Sequence, residues 1–365
     1  MNKLLFFIVF FVISNAQAAD ATYFSELKAE LDQAVPKILD KHKAPGVAVA
    51  FVQGEEVTGF LSYGFADIES QKAITENTMF NVGSISKVVT SWGVMQLVDQ
   101  GKVELDKPIN NYLKRWKIPK SEFGTENVTL RNVLSHTSGL SLGPYFGWGS
   151  PTDVPSIVDS LNGKNNGAGD VKLIHTPNTK WSYSGGGYSI VQLLIEDVSG
   201  LSFEDYMQKN VLKPLGMNNS TFNVTPAVKS ATPYDENAKK TSMISFAEQA
   251  AAGLQTTAID LARFNLAVLK NKENKYNGSR LISQALIKEM ITPVANTGGR
   301  WSMSYVVDSE NKSLGFAGFN QGWIALTRSI TDQNRGYVIL TNSSIGSVSN
   351  DIDSLILSKL RKPKN

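Results

Sequence analysis

An α+β fold is predicted by three features of the sequence: strand-patterned segments near both ends of the chain, a helix-rich middle, and no internal repeat. The expected arrangement is one α+β unit built from both ends (about 19–100 and 245–365), interrupted by a helical part (about 101–244).

The elements follow in order. Lys3 and the apolar run Leu4–Ile13, followed by Ala16-Gln17-Ala18, have the layout of an export signal over residues 1–18, so the mature chain is expected to begin at Ala19, periplasmic or secreted. The run is too short for the ~20 residues of a spanning helix, and no later segment reaches that length. Phe24, Leu27, Leu31, Val35, Ile38 and Leu39 recur at helical spacing until Pro45-Gly46. Val47–Val52 and Val57–Phe65, joined through Gly54-Glu55-Glu56, predict an antiparallel hairpin. A strongly apolar helix is expected over Ser84–Gln100, with Gly101 just past its end. Further helices are expected at Leu130–Ser135, Val154–Leu161, Gly187–Val198, Phe203–Val211 and Ala258–Leu269. Strands are expected at Trp301–Val307, Trp323–Arg328 and Gly336–Thr341, before a last helix over Val348–Leu360. The glycine-rich stretch Asn162–Asp170 reads as a surface loop, with a lid as the other reading.

Composition excludes several chemistries. The 365 residues are 42% hydrophobic, enough for a sizeable core, and carry a formal charge of only +3, which predicts no nucleic-acid face. The bases Lys359, Arg361, Lys362 and Lys364 read as a solvated terminus. With no cysteine there is no disulfide, thiolate nucleophile or lipoprotein anchor, and the three histidines form no metal-binding pair, so no cofactor is expected and a nucleophile should be a hydroxyl.

Two hydroxyl patterns compete. Gly139-Leu140-Ser141-Leu142-Gly143 fits a nucleophile elbow, but it follows a helical stretch and no histidine lies beyond His175. S-x-x-K occurs at Ser25/Lys28, Ser84/Lys87 and Ser309/Lys312. Of these, Ser84 alone follows a glycine at the opening of an apolar helix, where Lys87 shares its face and the helix N-terminus favours negative charge. A lysine kept neutral by burial accepts a serine proton. On these residues alone, an ordinary N-cap serine with a solvated lysine is an equal reading.

Met79–Leu105 (MFNVGSISKVVTSWGVMQLVDQGKVEL) resembles the active-site block of the serine beta-lactamase-related family, which includes class C beta-lactamases, D-alanyl-D-alanine carboxypeptidases, D-aminopeptidases and esterases. Similar blocks follow in order at Val128–Leu140, Trp181–Gly200, Pro214–Met217 and Ala251–Phe264, covering nearly the whole mature chain. The resemblance implies a beta-lactamase/transpeptidase-like fold, an antiparallel sheet flanked by helices with a helical subdomain. It also implies a serine hydrolase acting through an acyl-enzyme on a small-molecule or peptide substrate. Ser84 would be the nucleophile, Lys87 and Tyr183 the proton carriers, and the backbone N–H groups of Ser84 and Phe319 the oxyanion donors. Two motifs depart from the family pattern. Gly185 stands where Tyr-x-Asn has its asparagine, leaving room for close approach of a substrate backbone. Phe316-Ala317-Gly318 stands where a Lys or His opens the third motif, so a carboxylate-binding cation is missing. Gly185, Phe316, Ala317 and Gly318 are the expected substrate contacts. Tyr145, Phe146, Trp148 and Trp323 suit either an acyl pocket or the core. The altered motifs also admit a catalytically silent relative that binds peptides or peptidoglycan fragments.

Overall fold

The computed structural model of the chain describes residues 15–225 and 229–361; the apolar run Leu4–Ile13 and the last bases Lys362 and Lys364 lie outside them. The strands are β1 Gly46–Gln53, β2 Glu56–Asp67, β3 Lys72–Ala73, β4 Phe80–Asn81, β5 Gln255–Thr256, β6 Val306–Asp308, β7 Ser313–Asn320, β8 Trp323–Ile330 and β9 Arg335–Thr341. Seven of them form an antiparallel sheet in the order β3-β2-β1-β9-β8-β7-β6, while β4 and β5 pair separately. The expected hairpin is β1–β2, with a bulge between Phe51 and Val52. The last strand, β9, pairs beside the first, setting Ala50 opposite Val338.

The helices are α1 Asn15–His42, α2 Ile85–Asp99, α3 Leu130–Leu134, α4 Ile157–Leu161, α5 Gly185–Ser199, α6 Phe203–Met207, α7 Gln249–Ala252, α8 Ala258–Asn265, α9 Gln284–Ile291 and α10 Gly346–Leu360. Among the described residues no helix is long and apolar enough to cross a membrane. Period-two alternation divides the sheet into two apolar faces. Val47, Val49 and Phe51 of β1 face outward onto Leu27, Leu31, Val35 and Leu39 of α1 and Val348, Ile352 and Ile356 of α10. Lys359 pairs with Glu30 across these two helices. Ala48, Ala50 and Val52 face inward, into a larger core shared with α2, α5 and α8. Helix α2 is buried from Ile85 to Leu97, as an all-round apolar helix must be. Its few polar side chains bond neighbouring backbone: Thr90 to Ala250 O and Gln96 to Asn210 O.

Several elements differ from the sequence reading. Strand β7 has no clean alternation in the sequence, because Gly315 and Gly318 interrupt it and Phe319 is exposed. The expected strand Trp301–Val307 shortens to β6, since Ser304 adopts φ +94° and turns the chain. Helix α9 and the short α7 were not expected. Helix α4 starts at Ile157, capped by Ser156, and α8 tightens into a 3₁₀ turn at Leu266–Val268. The loop 162–170 is pinned rather than free: the buried Asn165 side chain bonds Ser160 O and Gly169 O and accepts from Gly169 N.

Leu31 is fully buried between α1 and the outer sheet face. Leu31→Ala should lower unfolding stability by about 2–5 kcal/mol, the usual range for a buried leucine truncated to alanine. Urea denaturation of the two proteins checks this.

Candidate active site

The site begins at the tight turn between β4 and α2. Gly83 has φ +50°, and a Cβ there would lie 2.7 Å from both N and O of Phe319. On the facing strand, a Cβ on Gly318 would lie 1.9 Å from Val82 O and 3.0 Å from Ser84 N. Two glycines therefore let the β7 backbone meet the turn directly, bringing the Phe319 amide beside that of Ser84. Asn81 locks the junction: its Oδ1 accepts from Gly83 N at 2.9 Å and from Asn320 Nδ2 at 2.5 Å, while its own amide reaches Ala252 O.

Ser84 sits at the N-cap position of α2 but makes no capping bond with its side chain. Its Oγ instead lies 3.2 Å from Lys87 Nζ and accepts from the Tyr183 hydroxyl at 2.6 Å. The capping alternative is thereby set aside. Lys87 is buried, donates to Ala251 O at 2.7 Å, and stands 5.0 Å and 5.8 Å from the ring centres of Tyr183 and Tyr188. Burial with no carboxylate partner disfavours the ammonium and brings its pKa down to about 7. Burial also pushes the Tyr183 phenol up to about 12, opposed by its bond to Ser84, so the resting group is a phenol rather than a phenolate. With one amine hydrogen on Ala251 O, a neutral Lys87 can turn its lone pair toward the Ser84 proton.

The other serine motifs are disposed differently. Ser25 is exposed and its Lys28 pairs with Asp32 at 2.5 Å, while Lys312 stands 4.0 Å from Asp332. The Ser141 hydroxyl donates to Asp170 O and accepts from Lys172 N, tying two loop segments with no strand-to-helix elbow.

The structure places three of the expected substrate contacts as follows. Gly185 opens α5, but a Cβ on it would lie 2.4 Å from Gly143 O and 3.1 Å from the Tyr145 ring. The missing side chain makes room for the protein's own 143–145 loop, not for a substrate. Ala317 lies on the opposite face of β7 from Phe316 and Gly318, leaving only its backbone toward the site. Phe316 is buried and packs edge-on against Trp301, ring centres 5.6 Å apart, so it is a wall. Of the suggested pocket aromatics, Trp323 is buried against Phe80 and the Tyr145 hydroxyl bonds Ser189, which makes both core residues; Trp148 is half-buried and Phe146 is exposed. Among the described residues no group of three or more His, Cys, Asp or Glu side chains could hold a metal ion.

Sequence reasoning missed two participants. Ala251 contributes a carbonyl, which carries no side-chain signature. His136, within the Val128–Leu140 block, holds Tyr183 from both sides. Its carbonyl accepts from Ser182 N at 2.7 Å, its Nδ1 from Ser184 N at 3.1 Å, and its ring lies 4.5 Å from the Tyr183 ring. A left-handed backbone, φ +59°, lets one residue present both its carbonyl and its ring to this segment. Because Nδ1 is an acceptor, Nε2 carries the proton, and it has no partner. Burial first, and then the Lys87 charge, lower the imidazole pKa to about 3.

Comparison with known proteins places this geometry. The chain matches the beta-lactamase family over residues 31–358 and belongs to that family. PbpX of Bacillus subtilis (strain 168) is 27% identical over 345 residues, covering 89% of this chain and 78% of PbpX. The flp protein of Staphylococcus aureus (strain MW2) is 25% identical over 208 residues, 55% of this chain and 39% of flp. A class C beta-lactamase structure superposes with a TM-score of 0.75 at 22% identity, covering 93% of this chain and 98% of the other. The octameric penicillin-binding protein homologue from Pyrococcus abyssi gives a TM-score of 0.73 at 22% identity, covering 90% and 77%. The fold is thus beta-lactamase/transpeptidase-like, as the sequence blocks implied.

His136 also makes stability pH-dependent. Its folded pKa of about 3 lies below the ordinary imidazole value of 6.5, so the unfolded chain binds a proton that the folded one refuses. The stabilisation is complete above the unfolded pKa and is lost as pH falls below it. From pH 7 to pH 5 this residue should remove about 2 kcal/mol. His136→Asn, which keeps an acceptor but does not titrate, should flatten that part of the stability profile in urea titrations.

Proposed function

We propose that the protein is an exported serine hydrolase that cleaves an ester or amide through an acyl-enzyme on Ser84. One observation carries the reading: the Ser84 hydroxyl lies within hydrogen-bond reach of both an amine poised near neutrality and a protonated phenol. The amine of Lys87 takes the Ser84 proton as Oγ attacks the substrate carbonyl. The backbone N–H groups of Ser84 and Phe319 steady the resulting oxyanion, aided by the N-terminus of α2. Tyr183 gives its proton to the departing oxygen or nitrogen, and the new ammonium of Lys87 returns a proton to the phenolate. Water then releases the acyl group by the same transfers in reverse. Export rests on Lys3, the Leu4–Ile13 run and Ala16-Gln17-Ala18, and amino-terminal sequencing of the mature protein should begin at Ala19.

Phe316 limits the substrate. No side-chain cation stands at that position, and Arg328 forks onto Asp353 and Asp308 instead. Substrates with a carboxylate beside the scissile bond lack a charge-assisted hydrogen bond of about 1.5–3 kcal/mol, a factor of roughly ten to a hundred. A neutral ester should therefore give the higher kcat/KM when compared with a penicillin-type substrate, and Phe316→Lys or Phe316→His should narrow the gap. A native preference for the beta-lactam would discard this account and make Arg300 the cation to test.

A fluorophosphonate probe should label the native protein and fail to label Ser84→Ala. Lys87→Ala and Tyr183→Phe should each lower turnover on the order of a hundredfold. No labelling of the native protein would leave the silent, peptide- or peptidoglycan-binding reading, which the changes at Gly185 and Phe316 motivate. With a non-titrating ester, kcat/KM should rise as pH passes about 7, where Lys87 loses its proton.

A further inference from the structure

Three exposed large apolar side chains sit on segments that build this site. Among the described residues, Trp181 (37% exposed), Phe146 (59%) and Phe319 (60%) are three of the seven large hydrophobics that are exposed. They belong to three segments already placed at the site: Trp181 precedes Tyr183 by two residues, Phe319 follows the Gly318 contact, and Phe146 is on the loop beside Gly185. Trp181 is the one with an organised aromatic surround. It stacks on Trp301 with ring centres 4.9 Å apart and planes 29° off parallel, and its ring lies 6.4 Å from that of Tyr183. Trp301 in turn meets Phe316 and His136 edge-on, each at 5.6 Å. A continuous aromatic wall therefore runs from the Tyr183 phenol to Phe316, and its rings bear no charged group, since burial keeps His136 neutral.

We propose that Trp181 and Trp301, backed by Phe316, form the leaving-group subsite of Ser84, and that it takes an uncharged aromatic group, as in an arylmethyl ester or amide. This rests on the acyl-enzyme reading above. The side is fixed by Tyr183: the phenol that protonates the departing atom belongs to the wall, so the group leaving with that atom lies against the indoles. An aromatic ring gains contact with Trp181 without losing hydrogen bonds, whereas a carboxylate there would shed water and find only neutral N–H and O–H donors among the rings, with no cation to offset its charge.

The test uses acetate esters of benzyl alcohol, methanol and glycolic acid. All three give the same acetyl-enzyme, so differences in kcat/KM report the leaving-group side. Benzyl acetate should be preferred over the other two. Trp181→Ala should lower the benzyl-to-methyl ratio of kcat/KM about two- to tenfold, the range for one aromatic stacking contact. Trp181→Phe should restore most of it, and Phe65→Ala, which removes an exposed ring on β2, should leave the ratio alone. An unchanged ratio in Trp181→Ala, or a native preference for the glycolate ester, would overturn the proposal. Circular dichroism of each variant separates loss of the subsite from loss of fold. If the native protein hydrolyses none of the esters, the acyl-enzyme reading fails, and the subsite is then judged by binding. In Ser84→Ala, saturation-transfer NMR of benzyl acetate should be strongest at the ring protons and weaken when Trp181→Ala is added. Equal transfer to ring and acetyl protons, unaffected by that change, would reject it.

Discussion

An amine taken out of water is the constraint on which the site turns. Lys87 has no carboxylate to hold its charge, so burial moves it toward a neutral base at the pH where cells work. The helix that carries it must then be enclosed on every side, which is why α2 forms the axis of the larger core rather than a surface element. The neighbouring groups follow the same logic. Tyr183 and Tyr188 offer ring faces in place of anions, the Ala251 carbonyl takes one N–H, and His136 stays uncharged beside them.

An amine set beside a hydroxyl matters only if both are held at the same point. That task falls to backbone and to neutral amides. Asn81 and Asn320 join the turn, the segment before β5 and the end of β7, and Gly83 and Gly318 remove the side chains that would keep those backbones apart. Because these links are neutral, they persist across the pH range in which Lys87 changes state. His136 performs the equivalent service for Tyr183 from the other side of the serine.

Much of this was legible in the sequence where one physical signal dominated. Alternation in Val47–Val52 and Val57–Phe65 marked the hairpin, and the run from Val88 to Val98 marked α2. Ser84 stood out because a glycine, an S-x-x-K spacing and an apolar helix coincided. The misses have physical causes. β7 is built for close backbone approach and for an exposed Phe319, so it lacks the composition of a buried strand. The positive φ of Ser304 cannot be inferred from its type, and it ended a strand that Trp301–Val307 otherwise suggested. Gly185 is a small residue at a motif position, and only the path of the 143–145 loop shows what occupies the space. Carbonyl acceptors such as Ala251 depend on where the chain passes, not on what it carries.

The sheet has a last consequence, in time rather than in space. Its centre joins β1 to β9, and the two amides brought together at the turn before α2 belong to Ser84 and Phe319, segments far apart in the chain. Contacts of such long sequence separation form late and slowly. A growing chain therefore displays Ser84 long before it owns the strand that brings the second amide beside it. Until β7 arrives, the Ser84 N–H has no second amide beside it, even where Lys87, Tyr183 and Ala251 have already come together around the hydroxyl. Such a delay needs no inhibitory segment, because chain connectivity itself withholds the paired amides until β7 has been made.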